Sequence, residues 1–190
     1  MPGSTVGRAA AVAGPIIVAI VSCLFGVSFL LSTFLGLPFS LDLSIAVRIV
    51  GGVIVLAGMA VIWWVFTCRG PADVIVSTYH TLAKLFRKIP VAERAGRTEP
   101  LVVSGPQKYV RSPLYFGVVV MVLGWGVLTG YTFVFVATVV LLLWFGLILI
   151  PFEERELQVL FGEEWRRYSE VTPMLIPFTK RRKRPLIASW

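Results

Sequence analysis

An arginine set just ahead of a helix start makes a site for anions, because its guanidinium and the free amides of the first turn point the same way. Arg111 stands in that position, followed by Ser112 as N-cap and Pro113 as the first helical residue. From Pro113 to Phe152 there is no Asp, Glu, Lys or Arg, and the stretch ends on Glu153 and Glu154. If it folds back near Gly130, both carboxylates return to the face that Arg111 left. A cation-led helix start beside a carboxylate pair suits a zwitterionic small molecule, such as an amino-acid moiety. The residue types leave a plainer reading equally open: Arg111 sets topology, Ser112 and Pro113 only start a helix, and the glutamates decorate the first turn of the next one. Other chemistries lack their residues, since the chain has no Gly-rich phosphate loop, metal-ligand cluster or Ser/His/Asp set.

The elements that must position these groups are membrane helices. The 190 residues are about one domain long, and 57% hydrophobic with 15% charged is too apolar for an ordinary soluble domain. Ala9 to Leu41 carries no charge, and Leu43 to Thr67 carries only Arg48. A helix needs ~20 apolar residues to cross the bilayer core, so both runs are spans. The sequence therefore predicts an all-α polytopic membrane protein of about four transmembrane helices, with a C-terminal helical hairpin and cytoplasmic flanking helices. Its parts are two N-terminal helices (1–68), a loop with an amphipathic helix (69–112), the hairpin with a C-terminal helix (113–178) and a basic tail (179–190). Near-absence of charge inside the membrane disfavours an ion channel or proton-coupled transporter.

A net charge of +8 suggests nucleic acid only until its distribution is seen. Eight of the 18 Lys and Arg fall between Arg69 and Arg111 and eight between Arg155 and Arg184, while the connections at Pro38–Asp42 and Gly130 have none. By the positive-inside tendency both termini, the long loop and the rim face the cytoplasm. The tail Lys180-Arg181-Arg182-Lys183-Arg184 reads as a contact for anionic lipid headgroups, and no nucleic acid is expected. Cys23 and Cys68 imply no disulfide framework.

Helix one is expected from Val12 to about Leu37, with Pro15 in its first turns, and helix two from Leu43 to Thr67, with Gly51, Gly52 and Gly58 for close packing. Val74 to Ile89 has the spacing of a surface-lying amphipathic helix, and His80 on it reads as a surface histidine. Leu114 to Thr129 and Tyr131 to Ile150 form the hairpin, its first arm only ~24 Å long. Pro151 should bend or restart the chain, and one helix should run from Glu153 to Glu170 with Trp165 and Tyr168 on its apolar face.

Leu101-Val102, Gly105-Pro106, Arg111, Pro113, Tyr115 and Gly117, in that order, resemble a signature of the isoprenylcysteine carboxyl methyltransferases and phospholipid methyltransferases. Glu153-Glu154, then Phe161-Gly162-Glu163-Glu164-Trp165 with Tyr168, then Leu175-Ile176-Pro177-Phe178, resemble the C-terminal signature of the same family. The resemblance covers roughly Leu101 to Phe178 and implies S-adenosylmethionine as methyl donor, S-adenosylhomocysteine as product and a lipophilic acceptor entering from the bilayer. Carried over by position, donor contacts fall on Leu101, Val102, Gln107, Arg111, Ser112, Pro113, Leu114, Tyr115, Glu153 and Glu154. Arg111, Glu154 and Tyr115 are the catalytic candidates, the last two as a base where the acceptor arrives protonated. Gln107 replaces a tyrosine of the family, Ser112 a histidine or asparagine, and Leu149 an arginine linked to a carboxylate substrate. These departures turn the expected acceptor from a prenylcysteine carboxylate toward an amine, a thiol or another lipid nucleophile. They also motivate a rival, a non-catalytic scaffold or lipid-binding protein. Membrane sterol reductases share a similar C-terminal region but are much longer, which makes hydride transfer a poor fit.

Overall fold

A computed structural model describes residues 3–70 and 103–177, with side chains from residue 14 onward in the first segment. Helix α1 spans Gly3–Phe34 and α2 Ile45–Arg69. A 3-10 turn at Gly105–Lys108 precedes α3, Pro113–Thr129, and α4, Thr132–Trp144. A π-helical turn, Phe145–Leu149, joins α4 to α5, Ile150–Phe161, and α6 follows at Glu163–Val171. Three helical stretches are long and apolar enough to cross a membrane, Gly14–Phe34, Ile45–Arg69 and Thr132–Phe161, with α3 as a shorter apolar helix. The protein is an all-α polytopic membrane protein. Its many exposed large hydrophobics, Phe34 at 87% and Trp63 at 72% among them, suit lipid rather than water.

In a bilayer, helices gain little from hiding apolar surface and associate where small residues let backbones approach. The pair α2 and α3 does this through Gly51, Gly58, Gly117 and Gly124. A Cβ built on Gly51 would lie 2.4 Å from the Leu128 amide nitrogen, on Gly58 2.7 Å from that of Met121, and on Gly124 2.6 Å from that of Val55. Gly52, the remaining expected packing glycine, has only Leu128 Cδ1 at 4.0 Å and is not needed for the approach. Helix α4 packs on α3 and α1 on α4.

The loop-back at Gly130 occurs as the apolar run suggested. Gly130 adopts φ 78°, a left-handed conformation that glycine takes without a Cβ penalty, and its amide closes on the Gly126 carbonyl at 2.8 Å. The α1–α2 connection is tied to this turn: the Leu41 amide donates to the Gly130 carbonyl at 2.8 Å, and the Thr132 hydroxyl donates to the Pro38 carbonyl.

Three local expectations are corrected. Helix α1 starts at Gly3, so Pro15 is inside it rather than in its first turns; the alanine-rich run around Ala9 to Ala13 carries the helix further toward the N-terminus than the apolar boundary indicated. Pro151 does not break the chain. A proline ring crowds the carbonyl four residues earlier, here Leu147, and that carbonyl lies in the π-turn, where the wider ring relieves the clash and the Ile150 amide reaches back to Phe145. The break comes instead at Gly162, φ 52°, which divides the expected Glu153–Glu170 helix into α5 and α6. The amphipathic helix with His80, the basic tail, and the site candidates Leu101 and Val102 lie outside the described residues.

Candidate functional site

The hairpin brings Arg111 and the two glutamates to one rim. Arg111 Nη1 is 2.7 Å from Glu154 Oε1, with the two side chains 10% and 24% exposed. One residue away, the Tyr115 hydroxyl donates to Glu153 Oε2 at 3.2 Å, and the Tyr115 ring lies 4.8 Å from that of Phe145 in the π-turn. Tyr115 stands in the first turn of α3, and Glu153 in the first turn of α5 with Glu154 next to it, so the start of α3 faces the junction of the π-turn and α5 across about forty intervening residues.

The segment leading to α3 is held from outside. The Arg111 amide donates to the Pro173 carbonyl at 2.9 Å and the Ser112 amide to the Met174 carbonyl at 3.1 Å. Ser112 occupies the N-cap position, with Pro113 buried behind it, but its hydroxyl makes no capping hydrogen bond; its carbonyl accepts the Phe116 amide at 3.1 Å. The expected capping serine is thus a cap in position only, because φ −122° and ψ 64° put its backbone outside the usual extended capping geometry. Leu114 is half-buried beside it.

Gln107, in the 3-10 turn, is 5% exposed. Its side-chain Oε1 and the Nε of Arg111 are buried without a hydrogen-bond partner among the described residues. Such an atom costs about 1–3 kcal/mol, so a polar ligand that meets both is a physical reason to keep them. One is an acceptor and the other a donor, beside two carboxylates. That donor set fits the amino-acid part of S-adenosylmethionine: Arg111 offers N–H groups to a carboxylate, Glu153 and Glu154 offer negative charge to an ammonium, and Gln107 Oε1 accepts from an N–H or O–H.

The roles of two aromatics escaped the sequence reading, which placed Trp165 and Tyr168 on an apolar helix face and within the C-terminal signature but gave neither a place at the site. The Trp165 ring lies under the Arg111 guanidinium, 5.8 Å from centroid to Cζ, and is 5% exposed. The Tyr168 hydroxyl donates to the Gln107 carbonyl at 2.7 Å. Burial pushes that hydroxyl far above the ordinary tyrosine range, with Arg111 opposing the rise and Glu154 adding to it. Glu156 was also missed: it is a carboxylate only 5% exposed on α5. An aromatic pair three residues apart, directly after a helix-breaking glycine, was the available signal for α6. Leu149 is buried in the apolar cluster with Phe145 and Ile150.

A family model described as phospholipid methyltransferase matches residues 46–164, more than half of the chain and both arms of the rim. Methanethiol S-methyltransferase 1 of Bradyrhizobium diazoefficiens is 37% identical over 73 residues, which is 38% of this chain and 25% of that protein. The match thus takes in about a quarter of that relative's length. No solved structure matches.

Proposed function

Because the chain belongs to the phospholipid methyltransferase family, we propose that it transfers a methyl group from S-adenosylmethionine to a lipophilic acceptor at the cytoplasmic face of its membrane. The observation that carries this reading is the meeting of Arg111 with Glu154, and of Tyr115 with Glu153, at a rim where Gln107 Oε1 and Arg111 Nε are buried without a hydrogen-bond partner among the described residues. When bound, the donor supplies a methyl activated on a sulfonium sulfur. Arg111 anchors its carboxylate, Glu153 takes its amino group with Glu154 beside it, and Tyr115 packs against it from the first turn of α3. Pro113 and Leu114 complete the wall, and Leu101 and Val102 belong to the same contact set by their place in the family signature. Such a displacement needs positioning and exclusion of water more than it needs a strong base, and a pocket flanked by lipid supports both. A base is required only for a protonated acceptor, where Glu154 and Tyr115 serve.

The acceptor class rests on Leu149, which stands where the family resemblance implies an arginine. Leu149, buried among apolar side chains, offers no cation to a carboxylate substrate, which favours a lipid amine or a thiol. A relative named for S-methylation of methanethiol brings the thiol within range. Membranes containing the protein, incubated with methyl-labelled donor and extracted into organic solvent, should yield a labelled lipid or lipophilic thiol. Absence of protein-dependent label from every fraction would overturn the reading.

A second reading, a scaffold that binds lipid without catalysis, is favoured by one feature: Arg111 and Glu154 already satisfy each other directly, at 2.7 Å. Purified protein that binds neither S-adenosylmethionine nor its demethylated product would support the scaffold over the enzyme.

A further inference from the structure

Resting on the methyl-donor reading of the rim, we infer that Trp165 and Tyr168 are positioning residues, and that α6 braces the 105–112 segment so that Arg111 and Gln107 meet the donor in a set geometry. That segment makes little structure of its own. Within it the Tyr109 and Val110 amides both turn to the Pro106 carbonyl, at 3.1 and 3.3 Å. Among the described residues α2 meets it through Trp64, whose ring centroid is 6.1 Å from that of Tyr109, and α5 through Glu154. Three hydrogen bonds to its backbone come from α6 and the residues just after it. The Tyr168 hydroxyl donates to the Gln107 carbonyl at 2.7 Å, and the Pro173 and Met174 carbonyls take the amides of Arg111 and Ser112. The Trp165 ring supports the Arg111 guanidinium at 5.8 Å.

Each contact has a distinct physical effect. The negative face of an indole attracts a cation held over it, and the Arg111 guanidinium lies over the Trp165 ring. With Trp165 beneath the guanidinium and Nη1 held by Glu154, Arg111 is restricted in orientation, and its buried Nε with it. Trp165 and Tyr168 in turn pack on each other, with ring centroids 5.4 Å apart, so the two contacts adjoin. Burial keeps the Tyr168 hydroxyl protonated, and therefore a donor, across the ordinary pH range. A carbonyl so held fixes the peptide of Gln107, and with it the start of the side chain whose Oε1 has no partner among the described residues. Neither aromatic needs to touch the reacting atoms to control where the groups that do are placed.

The test uses the purified full chain in lipid nanodiscs, with S-adenosylhomocysteine as probe, and the variants Tyr168→Phe, Trp165→Leu and Trp165→Phe. Binding is read by calorimetry, and backbone hydrogen exchange over the 105–112 segment is followed by mass spectrometry in the absence of the probe. We expect Tyr168→Phe to weaken the probe by about tenfold, the worth of one hydrogen bond to a buried carbonyl, and to speed exchange in the segment. Trp165→Leu should weaken it comparably, while Trp165→Phe, which keeps a ring face under the guanidinium, should recover most of the loss. That rescue separates support of the cation from mere space-filling, which leucine also supplies. If Trp165→Leu does not fold, Tyr168→Phe carries the test, since it removes a single oxygen atom. Wild-type affinity together with wild-type exchange in Tyr168→Phe overturns the inference, as does equal binding by the leucine and phenylalanine variants at position 165. No probe binding by the wild-type protein overturns the methyl-donor reading itself, which is a separate result.

Discussion

Replacing Glu154 with glutamine keeps the shape of the side chain and removes its charge, so it isolates the worth of the pair with Arg111. The two groups are 2.7 Å apart and 24% and 10% exposed. Unit charges about 4 Å apart at an effective dielectric of about 20 attract by about 4 kcal/mol, and orphaning a buried ion costs about 3–5 kcal/mol. Water screens the more exposed partner, and Arg111 retains the Trp165 ring, which offsets part of the loss. Glu154→Gln should therefore cost about 2–3 kcal/mol of folding stability. Arg111→Met should cost a similar amount, and the double variant clearly less than both together, for a coupling of about 2 kcal/mol. The assay is reversible unfolding in mixed micelles as the denaturing detergent fraction rises, followed by helical circular dichroism. A coupling below about 0.5 kcal/mol is what exposed pairs give. That value would refute the claim that the rim is a desolvated ion pair on which the fold itself leans.

Other consequences can be checked independently. Gly124→Ala would place a methyl 2.6 Å from the Val55 amide nitrogen, so α2 and α3 must part, and a loss of about 1–3 kcal/mol is expected in the same unfolding assay. Gly52→Ala, with 4.0 Å to its nearest neighbour, should be neutral or mildly stabilising. The folded state holds the Tyr168 proton above the unfolded value of 10.0, so its contribution is fully present below that pH and falls as pH rises further. Stability measured from about pH 9 to 11 should decline less in Tyr168→Phe than in the wild type. Tyr115→Phe removes the hydrogen bond to Glu153 and should weaken donor binding by about fivefold to tenfold, read by calorimetry.

The hairpin was legible because a charge-free run bounded by Arg111 and Glu153 has few folds in lipid, and Gly130 supplies the one left-handed position the turn requires. The packing of α2 on α3 was legible from glycines at membrane spacing, though only the backbone contacts show that Gly52 is not among those that matter. What stayed hidden depends on angles that composition does not carry. A π-turn inserts one residue into the helical repeat, which rotates everything after it by about 100°. Counting forward from α4 therefore cannot tell that Glu154 faces Arg111 while Glu153 faces Tyr115. The role of α6 was hidden for another reason. Trp165 and Tyr168 satisfy an apolar periodicity as well as any core pair, and only tertiary contact reveals that one lies under a guanidinium and the other holds a carbonyl.

The most direct measurement is a calorimetric titration of S-adenosylhomocysteine into the full chain in nanodiscs, beside its Glu153→Gln variant. The account predicts saturable binding by the wild type and its loss in a variant with an unchanged circular dichroism spectrum. Equal affinity in the two proteins, or no binding in either, would contradict it.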